Sequence, residues 1–273
     1  MEVLATGLSL GESPRWHDGR LWVCDWVAGE VLSYDASGDP RVELRMSGLP
    51  FSLDWLPDGR AVLTCARGVV TAAGDGSTTP YGAMGQGWNE IVVDAHGNTF
   101  VNTPGFDLMG GEDPKPGTVW VVRPDGSARE VAGDVWFPNG MAVTPDGGTL
   151  IVAESYGHRL TAFDLAPDGG LGNRRTWADL GEGTPDGICL DADGAVWYAD
   201  VPNRRCVRVA ESGGVLETVE ADRGCFACML GGKDGRTLFV VAARWAGTEG
   251  IGSGEPTGQL LTHRAPAPHA GRP

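Results

Sequence analysis

The chain has 273 residues, 41% apolar and 21% charged, a balance that supports a large core and excludes global disorder. Its net charge of −15 argues against nucleic acid, whose phosphates need a Lys/Arg surface, and against an anionic membrane surface. The 43 Gly and 18 Pro follow no collagen period, so they point to many tight turns.

The start, Met1-Glu2-Val3-Leu4, lacks a basic region followed by an apolar run, so no signal peptide is expected. No stretch of about twenty apolar residues is present to span a membrane. These features predict a cytoplasmic protein. The six cysteines at 24, 65, 189, 206, 225 and 228 lie mostly in strand-like runs and read as buried thiols. Cys225-Phe226-Ala227-Cys228 has no second pair at zinc-finger spacing and no thioredoxin-like context.

Internal repetition dominates the chain. Each unit is an apolar strand, an Asp-Gly-like turn, a second apolar strand, a polar connection and a third strand. In the first, Ser13-Pro14-Arg15-Trp16 precedes Asp18-Gly19, and Leu21-Trp22-Val23-Cys24 follows. The later turns are Asp58-Gly59, His96-Gly97, Asp146-Gly147, Asp193-Gly194 and Asp234-Gly235, at intervals of 38 to 50 residues. Asp-Gly between apolar runs is a hairpin signal, because Gly accepts positive φ. Six such units without a helical period predict an all-β fold, a six-bladed β-propeller occupying 1–264 as one domain. The stretch Glu2-Val3-Leu4-Ala5 is expected to join the last blade beside Gln259-Leu260-Leu261-Thr262, which would remove an open sheet edge. The Pro/Ala-rich tail, 265–273, is expected to be flexible. Two Gly/Pro-rich loops, 106–116 and 244–257, are candidate lids.

A polar residue recurs six or seven positions before these turns. Glu12, Asn89, Asn139 and Asp186 occupy that register, Ser52 and Ala227 take its place in the second and sixth units, and equivalent positions on innermost strands form a ring around a propeller axis. Such an all-oxygen set suits Ca²⁺, Mg²⁺, Mn²⁺ or another divalent ion accepting oxygen ligands, Zn²⁺ and Fe²⁺ included. Two buried carboxylates without a cation would repel one another. The opposing view is that these residues are turn and bulge formers bonding their own backbone, as Asn and Asp often do.

Gly11-Glu12-Ser13-Pro14, Phe137-Pro138-Asn139-Gly140-Met141-Ala142 and Pro185-Asp186-Gly187-Ile188 resemble motifs of the SMP-30/gluconolactonase/LRE-like family. Asn89 with the acidic Glu90 after it, Val93-Asp94, and Cys225 to Gly232 extend the resemblance over essentially the whole chain. It implies a propeller with one divalent metal at its centre and hydrolysis of a lactone, typically a sugar lactone. By the resemblance, Glu12, Asn139 and Asp186 are the metal ligands, Asp186 is also the acceptor of a proton from the attacking water, and Asn89 contacts substrate or metal.

The sugar-lactonase pattern often carries Arg-x-Asn-Asp, whereas this chain has Gly87-Trp88-Asn89-Glu90, with Gly in the place of the Arg. Losing that donor fork shifts the expectation toward a smaller or more apolar lactone. Trp88, Glu90, Phe137 and Tyr156, with Asn89, are the candidate substrate contacts, and Trp136 and Phe106 candidate pocket walls. His158 is a candidate second acid/base. Trp22, Trp55, Trp120 and Trp197 fall inside strands and are expected to fill space between blades. Two rival functions stay open: a binding module with a structural ion, and hydrolysis of another ester-like or phosphotriester bond at the same site.

Overall fold

A computed structural model describes residues 1–85 and 87–271 of the chain. Six four-stranded antiparallel sheets form the blades of a propeller. Their innermost strands are Gly11–His17, Leu53–Trp55, Ile91–Val93, Pro138–Val143, Pro185–Leu190 and Gly224–Gly231. Each blade runs outward in chain order, except the last. There Glu2–Leu8 completes the sheet as its outer strand, with Val3 opposite Leu261 and Ala5 opposite Leu260. Chain closure therefore follows the expected register. Among the described residues there is no α-helix, and no helix is long and apolar enough to cross a membrane.

Burial falls from the axis outward. The inner strand Gly224–Gly231 is buried throughout, whereas the outer strand Pro40–Arg45 is mostly exposed. The glycine that follows each turn aspartate, or His96, has φ between 71° and 87°, a region closed to most side chains. Aspartates at the turns accept backbone hydrogen bonds as well; Asp191 takes one each from Asp193 N and Ala195 N, both at 3.0 Å.

The core is a set of apolar layers between neighbouring blades rather than one central mass. Ile151 and Leu160 of blade four, for example, pack with Ile188 and Val196 of blade five. Tryptophans bridge these layers as expected. Trp22 meets Trp55 edge-on at 5.1 Å, Trp88 meets Trp120 at 5.6 Å, and Trp197 is fully buried. The six cysteines carry free thiols, five of them buried.

Residues 265–270 lie across blades five and six, with Ala265 and Ala267 buried. Backbone bonds hold them: Ala192 N donates to Pro268 O at 2.8 Å, His269 N to Gly235 O at 2.9 Å, and Ala270 N to Leu190 O at 3.1 Å. The last two positions of the predicted tail, 272 and 273, lie outside the described residues.

Candidate active site

Glu12, Asn139 and Asp186 reach the axis through one local device. In blades one, four and five, pairing with the second strand slips at the same place: between Glu12 and Arg15, Pro138 and Met141, and Pro185 and Ile188. Such bulges twist a strand and re-aim its side chains. The glycines after two of these residues answer to crowding at the axis. A Cβ on Gly140 would lie 2.6 Å from Ile188 N, and one on Gly187 would lie 2.5 Å from Ala227 Cβ. The Asn-Gly and Asp-Gly pairs of the motifs are thus a polar group plus the room for neighbouring inner strands to converge.

Polar side chains then stitch each blade to the next beside the ring. Ser52 Oγ donates to Asn89 O at 2.6 Å, Asn102 Nδ2 to Asn139 O at 2.7 Å, and Ser155 Oγ to Pro185 O at 2.7 Å. Asn89 Nδ2 donates to Pro138 O at 3.3 Å, and Asn139 Nδ2 to Ser155 Oγ at 3.4 Å. Asn102 and Ser155 were not singled out from sequence. Both follow apolar strand runs as buried polar residues, which is the one signal that could have found them.

The carboxylates of the ring are under electrostatic stress. Burial, then the charges of Asp186 and Glu90, push the Glu12 carboxyl well above its ordinary range. Burial and Glu90 push Asp186 up in the same way, against a lowering contribution from the Asn139 amide. Asp186 Oδ1 is buried and has no hydrogen-bond partner. Among the described residues no three His, Cys, Asp or Glu side chains are gathered as a metal site of those types alone would need.

A cavity of about 440 Å³ opens above the ring. Glu12, Asn89, Asn139 and Asp186 line it, as do Trp88, Phe137 and Tyr156, so the fold brings seven of the eight predicted site residues together. Glu90 is the exception. One position along the chain from Asn89, it points the other way and is buried beneath the ring. There it accepts from Ser52 Oγ at 3.1 Å and pairs with Arg15 at 3.4 Å, and it does not line the cavity. His158 does not line the cavity either; its Nδ1 lies 2.9 Å from Gly183 O. Both predicted lid loops border the cavity, through Phe106, Leu108 and Met109 on one side and Trp245 and Ile251 on another. Trp26, Thr184 and Phe226 also line it and carried no sequence signal, because only the closed ring brings them together.

Glu154, which closes the second strand of blade four, is a structural anchor. It accepts from Trp136 N at 2.8 Å and Arg159 Nη2 at 2.9 Å, and from Arg174 and Thr161 as well. Burial raises its pKa, but these hydrogen bonds outweigh burial and hold the carboxyl below its ordinary range.

Six blades around an acid–amide ring, with a cavity over that ring, define a six-bladed propeller with one end of its axis open. The chain belongs to the SMP-30/gluconolactonase/LRE-like family, whose model matches residues 10–244. It is 26% identical over 247 residues to a 6-deoxy-6-sulfogluconolactonase of Pseudomonas putida, covering 86% of this chain and 84% of that one. A gluconolactonase of Xanthomonas campestris shares the fold with a TM-score of 0.77 at 24% identity, covering 96% of this chain and 89% of that one. A regucalcin of Agrobacterium tumefaciens, described as a calcium-binding protein, shares it at 0.78 and 22% identity, covering 98% and 95%.

Proposed function

We propose that this chain hydrolyses a lactone at a site where Glu12, Asn139 and Asp186 hold one divalent cation. In the reaction the oxygen of water bonds to the acyl carbon, the ring C–O bond breaks, and a proton passes from water to the ring oxygen, giving a hydroxy acid. Membership of a lactonase family supports the reaction class. The observation that carries the metal reading is the pair of buried, mutually repelling carboxylates, one with an oxygen that no protein group satisfies. No basic side chain is among the described residues lining the cavity, so a cation from outside the chain fits this donor set. Oxygen donors of this kind suit Ca²⁺, Mg²⁺ or Mn²⁺ and accept Zn²⁺ or Fe²⁺. When bound, such an ion polarises an ester carbonyl and lowers the pKa of water.

The residues of the chain divide the remaining work. Asp186 also takes the proton of the attacking water in this reading, which its buried, unneutralised carboxylate supports. Asn89, fixed through its amide nitrogen by the Pro138 carbonyl, contacts substrate at the edge of the ring. Phe137, Tyr156 and Trp88 form walls that exclude bulk water. A cavity of this size above the ring favours a working ion over a purely structural one, because substrate has access to it.

The test is a pH-stat screen of sugar and aliphatic lactones against chelated protein, re-supplied with single divalent ions. Ring opening above background that depends on the added ion supports the proposal. Failure to open any lactone with any of the ions would refute it.

A further inference from the structure

The walls of the cavity contrast with its floor. Three aromatic rings from three separate segments form a shelf over one side of the acid–amide ring. Phe137 and Tyr156 stack with centroids 4.8 Å apart, and Phe106 lies 5.6 Å and 6.0 Å from them. Elsewhere along the cavity Phe226 meets Trp245 edge-on at 5.6 Å.

The shelf is held in place from behind. Phe137 adopts a φ of 53°, a region that non-glycine residues seldom occupy. Backbone bonds across the hairpin fix it: Ser155 N donates to Phe137 O at 3.1 Å and Tyr156 N to Trp136 O at 3.3 Å. The Glu154 anchor holds the neighbouring Trp136 amide. The hairpin therefore presents Phe137 and Tyr156 as a preorganised surface.

Groups able to recognise a hydroxylated or anionic ring are scarce by comparison. Among the described residues lining the cavity there is no Lys, Arg or His, and Glu12, Asp107 and Asp186 are all acids. Asn89 and Asn139 each commit an amide hydrogen, to Pro138 O and Ser155 Oγ, and the Ser155 hydroxyl donates to Pro185 O. A polyhydroxylated lactone would meet acceptors but few donors there, and a sulfonated one would bring an anion among acids.

We propose that the substrate is an uncharged lactone bearing an alkyl or aryl substituent, with that substituent lying on the Phe106–Phe137–Tyr156 shelf and the ester over the ring. The proposal rests on the lactone-hydrolase reading and narrows it. It also makes this chain unlike the Pseudomonas putida relative, whose name specifies a sulfonated sugar lactone.

The test compares kcat/KM for γ-lactones of increasing alkyl length, an aryl-fused lactone, gluconolactone and a sulfonated sugar lactone, each with the metal-supplied enzyme. The expected result is a rise of roughly threefold to fourfold per methylene over the first few carbons, carried by KM. Phe137→Ala and Tyr156→Ala should flatten that rise, with Phe137→Leu and Tyr156→Phe as milder variants should the hairpin fail to fold. Gly87→Arg is the complementary change. Gly87 borders the cavity, and a Cβ there would meet nothing closer than Ala66 Cα at 3.6 Å. A guanidinium at this position should raise turnover of the sulfonated lactone at least tenfold relative to the alkyl series. Preference of the parent enzyme for gluconolactone, or an unchanged chain-length slope in both shelf variants, would overturn this inference and leave lactone hydrolysis standing. Absence of turnover on every lactone would overturn both.

Discussion

Arg15→Met should destabilise the metal-free protein severely. Arg15 and Glu90 are each only 7% exposed and pair at 3.4 Å beneath the ring. The guanidinium also donates to Ile91 O at 2.6 Å and Pro14 O at 2.9 Å. Removing one partner of a buried pair leaves the other charge uncompensated, at a cost of about 3–5 kcal/mol. Here the stranded carboxylate keeps Ser52 Oγ and Ile91 N, yet it joins Glu12 and Asp186 as a third buried acid. At about 2–4 °C per kcal/mol for a domain of this size, the melting temperature should fall by roughly 6–20 °C. The assay is urea and thermal unfolding followed by circular dichroism in excess chelator. Glu90→Gln added to Arg15→Met should recover much of the loss, since no stranded charge is then left. A cost below about 1 kcal/mol for Arg15→Met, or no recovery in the double variant, would refute this account of the charges under the ring.

Two further outcomes follow from the same geometry. Glu12 and Asp186 have raised pKa values in the folded chain, so the folded state holds protons that the unfolded state has released. In chelator, stability should therefore fall as pH rises above the ordinary values of 4.5 and 3.8, and a divalent ion should abolish that slope; unfolding across a pH series measures it. Gly140→Ala places a Cβ 2.6 Å from backbone at Ile188 and should cost about 1–3 kcal/mol. It should also weaken ion binding by displacing Asn139 from Asp186, which titration calorimetry would detect.

The blades were legible because each repeats its turn and its polar register, and closure by Glu2–Leu8 follows from six units needing one more strand. The ring positions Glu12, Asn139 and Asp186 were legible for the same reason. That Glu90 lies away from the cavity was not legible, because its partner Arg15 is 75 residues away in the chain. Trp26, Phe226 and Trp245 come from blades one and six and meet the cavity only through ring closure. The tail carried a disorder-like composition, yet Ala265 and Ala267 are buried once the blades are folded.

Titration of a divalent ion into the chelated protein, with lactone turnover read on the same samples, tests the central claim most directly. The prediction is one ion per chain, turnover that rises in proportion to ion bound, and loss of both in Asp186→Ala and in Glu12→Ala. Full turnover by metal-stripped Asp186→Ala protein would contradict it.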